Sequence, residues 1–249
     1  MEIYLDTANL DEVRAAAAWG VLRGLTTNPS HVAKAGVRQL RPHIQEMCWI
    51  ADVPISVEVT TTDVDEMVEQ GVAYARWSPH VVVKLPTIPA GLSAMARVTR
   101  TPVTASCDGC THIEGCPIRA RFAARDALTR VAEVNATLIF TPNQAILALA
   151  AGAGYVSPFV GRLDAVGEDG VALVADIAAI LRAHDQPGKI IAAAMRHPAH
   201  VTAVAKAGAH IATMAYALLT QIVEHPLTER GLAEFMADYA RSQRPASDD

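Results

Sequence analysis

Apolar residues along this chain fall into short, often β-branched runs, separated by longer stretches in which they recur every three or four positions. The runs are Glu2 to Asp6, Leu22 to Leu25, Ile55 to Val59, Val81 to Pro86, Val134 to Phe140, Tyr155 to Phe159, Lys189 to Ala193 and His210 to Met214. Each reads as a strand, centred near positions 3, 24, 57, 83, 137, 157, 191 and 212. The stretches between them read as helices: Asn9 to Gly20, Gln39 to Ala51, Asp63 to Arg76, Thr141 to Gly152, Gly170 to His184 and Pro198 to Ala207. Tyr216 to Val223 and Leu227 to Ser242 follow the last strand. Asn9 with Glu12, and Thr141-Pro142-Asn143-Gln144, carry the pattern of N-terminal capping boxes.

Strands alternating with helices call for a parallel sheet. Eight such units in 249 residues match a single (β/α)8 TIM barrel spanning 1–249. A doubly wound open sheet is the alternative, but no G-x-G-x-x-G follows the first strand. The expectation is α/β, with an inserted cysteine-containing segment around 100–118 and a C-terminal helix. A polar tail from about 243 is expected to be disordered.

The insertion shows itself as a break in rhythm. Lys84 and Asn135 are 51 residues apart (135 − 84), well beyond an ordinary strand-to-strand step. The extra stretch holds Cys107, Cys110, His112 and Cys116, a spacing compatible with a structural zinc site. Free thiols and a disulfide are the competing readings. Gly91 to Arg100 and Arg119 to Ala132 are both candidates for the helix of this unit. The second leads straight into the next strand and is favoured, which places the cysteines over the C-terminal ends of the strands. Cys48 reads as a core residue on an apolar helical face.

Composition removes several function classes. Net charge is −5 with lysine and arginine scattered, so nothing suggests a nucleic-acid surface. No apolar run reaches the roughly 18 residues of a membrane span. The N-terminus is unlike a signal peptide, and the few cysteines are unlike a secreted disulfide scaffold, so the cytoplasm is the expected compartment.

Chemistry in such a barrel sits at the C-terminal ends of its strands. Those ends carry Asp6, Thr26 and Asn28, Glu58, Lys84, Asn135 and Thr137, Ser157 and Phe159 with Arg162 beyond, and Arg196. Lys84 ends a β-branched run, where burial favours the neutral, nucleophilic amine that imine chemistry needs; on this stretch alone a snorkelling lysine with its head in solvent explains it equally well. Any one acid here has a bland reading as a cap or ion-pair partner. So many at the same end of successive strands are harder to explain by capping.

Leu5-Asp6-Thr7-Ala8 with Thr26-Thr27-Asn28-Pro29-Ser30 resembles the N-terminal signature of transaldolases. Val82-Val83-Lys84-Leu85-Pro86 resembles their Schiff-base lysine strand. Asn135 to Phe140 and Ser157-Pro158-Phe159-Val160-Gly161-Arg162 are similar to two further blocks of that family. The related fructose-6-phosphate aldolases carry Gln and Tyr where this chain has Glu58 and Phe159, so the resemblance leans to the transaldolase type. It implies an imine on Lys84, with Asp6, Glu58 and Thr137 moving protons. It also implies that Asn28, Thr26, Asn135, Ser157 and Phe159 shape the sugar site and that Arg162 and Arg196 grip phosphate. No cofactor is implied for catalysis. The partners implied are sugar phosphates and, through the C-terminal helix, further copies of the chain. One departure stands out: Ala194 lies where the family usually has a serine, removing a hydroxyl from the phosphate grip.

Overall fold

The computed structural model describes residues 1–243. In chain order the strands are β1 (Glu2–Asp6), β2 (Leu22–Thr26), β3 (Ile55–Glu58), β4 (Val81–Pro86), β5 (Pro102–Thr104), β6 (Thr129–Val131), β7 (Val134–Ile139), β8 (Tyr155–Pro158), β9 (Lys189–Ala192) and β10 (Ile211–Met214). The helices are α1 (Leu10–Ala17), α2 (Pro29–Lys34), α3 (Leu40–Ala51), α4 (Val64–Ala75), α5 (Pro89–Val98), α6 (Pro117–Ala124), α7 (Pro142–Ala150), α8 (Val160–Asp164), α9 (Gly170–Ala183), α10 (Pro198–Ala207), α11 (Tyr216–Gln221) and α12 (Pro226–Ser242). Eight parallel strands close in the order β1-β10-β9-β8-β7-β4-β3-β2. This is the expected (β/α)8 barrel. The expected tail disorder falls almost wholly outside the described residues.

The two-residue alternation of a strand divides each one between two environments. On β4, Val81, Val83 and Leu85 are fully buried in the layer between sheet and helices. Val82 and Lys84 alternate with them and face the barrel interior. At the closed bottom of the barrel, Tyr4 packs with Ile191 and Ile211. Gly24 leaves room for that ring: a Cβ there would lie 2.2 Å from Tyr4. Layers of side chains thus plug one end and leave the other to form a mouth.

Both predicted N-caps form, but only one as a full capping box. Thr141 and Gln144 satisfy each other's backbone reciprocally. Asn9 caps α1, whereas the Glu12 carboxylate accepts the hydroxyl of Thr7 at 2.5 Å instead of reaching back to the cap.

The long step from β4 to β7 resolves differently from expectation. The helix of this unit is α5, which starts three residues after β4 and packs against α4 and β4. Gly91 permits that packing, since a Cβ there would lie 1.9 Å from the carbonyl oxygen of Pro86. The extra chain therefore follows the helix rather than preceding it. It forms an antiparallel β5–β6 pair with α6 between its strands, and enters β7 from the bottom of the barrel. The cysteines lie on the face away from the strand C-termini and do not cover the mouth. The apolar positions of α5, with Gly91, Ala94, Met95 and Val98 buried, fit the sheet. Only Ile118 of α6 is buried.

At the other extreme, α12 has no buried residue. Leu232, Phe235, Met236 and Tyr239 are exposed along it. No helix among the described residues is long and apolar enough to cross a membrane.

Candidate active site

Sheet register assembles the site. β3 and β4 pair so that Glu58 lies beside Lys84, and β4 and β7 pair so that Lys84 lies beside Asn135. Next along the ring, β2 pairs with β3 so that Thr26 lies beside Ser56, and Asp6 of β1 lies beside Thr26. Equal register in a parallel sheet gives equal facing, so these side chains share the interior of the barrel near its mouth.

Lys84 is 4% exposed, a burial at which a free cation is costly. Its Nζ lies 2.9 Å from Glu58 Oε2 and donates to the Thr27 carbonyl at 3.0 Å. Lys84 is thus buried against a carboxylate and a carbonyl, and its setting is not purely apolar. Forming an imine first requires the proton to leave, and Glu58 is the base in contact with it. Thr137 is fully buried, and its hydroxyl oxygen has no hydrogen-bond partner among the described residues.

Asp6 accepts from the Thr26 hydroxyl at 2.7 Å and lies 3.4 Å from His31 Nδ1. Burial by itself pushes this carboxyl up. The hydrogen bond and charge of His31, the charge of Lys84 and the Thr26 hydroxyl outweigh it and hold Asp6 below the usual carboxylate range. Asp6 is therefore an anion at neutral pH.

A chain of polar groups braces the floor. Asn135 donates to Ser56 Oγ at 3.0 Å and accepts from Ser157 Oγ at 2.7 Å. Thr213 shares a 2.6 Å hydrogen bond with Thr26. Asn28 uses its side-chain oxygen to cap α2, accepting from His31 N at 3.0 Å, while its amide lies 3.3 Å from His31 Nδ1.

Asp6, Thr26, Asn28, Lys84, Ser157, Phe159 and Arg162 line one cavity, at the strand ends expected from the sequence. Glu58, Asn135 and Thr137 do not line it; Glu58 joins it through Lys84 and Asn135 through Ser157. Arg162 crosses the Phe159 ring with its guanidinium carbon 4.9 Å from the ring centre. Arg196 is also outside the lining: it is exposed at the rim, against Gly161. Ala194 lines the cavity in a left-handed backbone conformation, φ 58°. His31 and Thr213 also line it and were not anticipated. The position of His31 directly after Thr26 to Ser30, at a strand end, was the available signal.

The cysteine group is rearranged relative to expectation. His112 stacks on Trp49 with ring centres 4.3 Å apart, and its Nε2 lies 2.7 Å from Glu46. It turns away from Cys107, Cys110 and Cys116, which share a second cavity with Cys48 instead.

The model of the family "Transaldolase/Fructose-6-phosphate aldolase" matches residues 3–247. A probable transaldolase of Roseiflexus castenholzii is 43% identical over 244 residues, covering 98% of this chain and 99% of that protein. One from Desulforamulus reducens is 43% identical over 241 residues, 97% of this chain and 98% of that protein. One from Exiguobacterium sibiricum is 41% identical over 245 residues, 98% and 100%. With the family model matched over nearly its whole length, the chain belongs to the transaldolase/fructose-6-phosphate aldolase family.

Proposed function

We propose that this protein transfers a dihydroxyacetone unit from a ketose phosphate to an aldose phosphate through an imine on Lys84. The observation that carries the reading is the buried Lys84–Glu58 contact at 2.9 Å, with the anionic Asp6 in the same mouth. Glu58 takes the ammonium proton and later returns it as the carbinolamine loses water, with the unpartnered Thr137 hydroxyl suited to hold the water that relays it. Asp6 removes the proton from the C4 hydroxyl as the C3–C4 bond breaks. The electron pair passes into the iminium as an enamine, which waits for the acceptor aldehyde. Asn28, Asn135 and Ser157 hold the hydroxyls of the three-carbon fragment, and Arg162 binds the phosphate. Arg196, at the rim, reaches a phosphate only by swinging inward. Phe159 offers no hydroxyl to activate water, so transfer outruns release of free dihydroxyacetone. No cofactor takes part.

The rival reading is a dihydroxyacetone-releasing aldolase. Incubation with fructose 6-phosphate, with and without an aldose phosphate acceptor, separates the two. Turnover that depends on the acceptor supports transfer, and equal turnover without acceptor overturns it.

We further propose that the uncovered apolar side of α12 docks on a second copy of the chain, as the resemblance implies for a homo-oligomer. Leu232, Phe235, Met236 and Tyr239 form a continuous exposed patch of the kind that marks an interface.

A further inference from the structure

All four cysteines of this chain line a single cavity, although they come from segments that are far apart in sequence. Cys48 is on α3, and Cys107, Cys110 and Cys116 are on the chain between β5 and α6. The cavity encloses about 20 Å³, room for one water-sized occupant. It lies at the bottom of the barrel, remote from Lys84.

The backbone around it is shaped to present sulfur. Cys107 and Gly109 both adopt left-handed conformations, φ 55° and 73°. The turn closes with Cys110 N–H donating to the Cys107 carbonyl at 3.1 Å. That compact C-x-x-C turn brings two thiols to one side. Cys116 is the N-cap residue of α6, and its side chain makes no capping hydrogen bond, which leaves its sulfur uncommitted. Arg41 and Gln45 on α3 both donate to the Asp108 carbonyl, so the turn is tied to the helix that carries Cys48. Gln45 also lines the cavity, and its side-chain oxygen is buried with no partner among the described residues.

We infer that Cys48, Cys107, Cys110 and Cys116 form a four-thiolate site for one zinc ion, which fastens the segment from β5 to β6 to the barrel. Four cysteine sulfurs lining one small cavity supply the donor set that suits Zn²⁺ in a closed structural site. Binding releases the thiol protons to solvent and leaves a complex of charge −2, from +2 and four thiolates. Arg119 lines the cavity and Arg41 adjoins Gly109, so two guanidinium groups are at hand to balance that charge.

The need for such a fastening is physical. Besides Cys107, the apolar side chains the segment from β5 to α6 buries are Val103, Ala105 and Ile118, and the strands of the β5–β6 pair are three residues each, a small apolar surface for a segment of this length. As placed, no three His, Cys, Asp or Glu side chains among the described residues form a group able to hold a metal. The ion must therefore draw the thiols inward by side-chain rotation.

The test is metal content and cobalt spectroscopy on the full-length chain. The protein is purified under reducing conditions, assayed for zinc, then stripped and titrated with Co²⁺. The expected result is one zinc per chain and, with cobalt, the intense thiolate charge-transfer and visible bands of a tetrahedral sulfur site. Cys110→Ser, at the more open end of the cavity, should lower the charge-transfer intensity by about one part in four, one thiolate of four. Cys48→Ser should do the same. If Cys48→Ser does not fold, alkylation of the stripped wild type serves instead, with zinc protecting Cys48 together with the other three. His112→Ala should change nothing. Substoichiometric zinc with no cobalt spectrum, disulfides in the isolated protein, or a spectrum that responds to His112 but not to Cys48 would each overturn the assignment.

Discussion

Replacing Glu58 with Gln separates two roles this carboxylate could have toward Lys84. Gln is nearly isosteric, so the 2.9 Å approach to Nζ can persist as a neutral hydrogen bond. If Glu58 merely positions the lysine, the change trades a charge-assisted hydrogen bond for a neutral one. That difference is about 1 kcal/mol, or roughly fivefold in rate. If Glu58 carries the proton in both directions, the variant loses general acid–base catalysis, worth about 10²–10⁴-fold. At ~1.36 kcal/mol per decade this amounts to about 3–5 kcal/mol on the imine-forming step. The two ranges do not overlap, so magnitude decides. The assay is borohydride trapping of the fructose 6-phosphate adduct, read by intact mass at increasing times. Glu58→Gln should reach the wild-type adduct yield at a rate lowered by at least about a hundredfold. Lys84→Ala should give no adduct at any time. Trapping of Glu58→Gln within about tenfold of wild type would refute the proton-carrier role, and an adduct in Lys84→Ala would remove the imine itself.

The remaining predictions address the other side of the mouth and the surface. Asp6→Asn should leave borohydride trapping intact while C3–C4 cleavage becomes severely slowed; loss of both together would argue that Asp6 acts on imine formation. Because His31 helps hold Asp6 below the usual carboxylate range, the acid limb of kcat/KM in His31→Leu should move to higher pH, and an unmoved limb would show that His31 does not tune the base. The linked stability has a fixed sign. A depressed carboxyl stabilises the fold above its unfolded value of about 3.9, and that contribution fades as pH falls through the folded value, so His31→Leu should flatten the acid side of a thermal-stability profile. On α12, Leu232→Glu combined with Phe235→Glu should lower the molar mass seen by light scattering without unfolding the barrel, since neither residue is buried; unchanged mass would place any subunit contact elsewhere.

What could be read from the sequence, and what could not, divides along one physical line. Strand periodicity located all eight barrel strands, and register then brought Asp6, Thr26, Glu58, Lys84 and Asn135 together without further information. A parallel barrel leaves little freedom in which strand ends meet, so local pattern carried global geometry. Where a side chain depends on a partner outside its own unit, the sequence was silent. The partner of Lys84 is Glu58 of the neighbouring strand, and Arg196 follows the backbone around Ala194 to the rim. The insertion shows the same limit. Arg119 to Ala132 looks like the helix of its unit because it runs into β7, yet α5 buries the apolar positions that fit the sheet, and α6 does not. Moving the helix moves the cysteines from the mouth to the base. There His112 finds Trp49 and Glu46, and the position facing the three clustered thiols is taken by Cys48, whose apolar helical setting had marked it only as core. A residue can look like packing in one dimension and be a ligand candidate in three, because burial and metal binding both ask a cysteine to face inward.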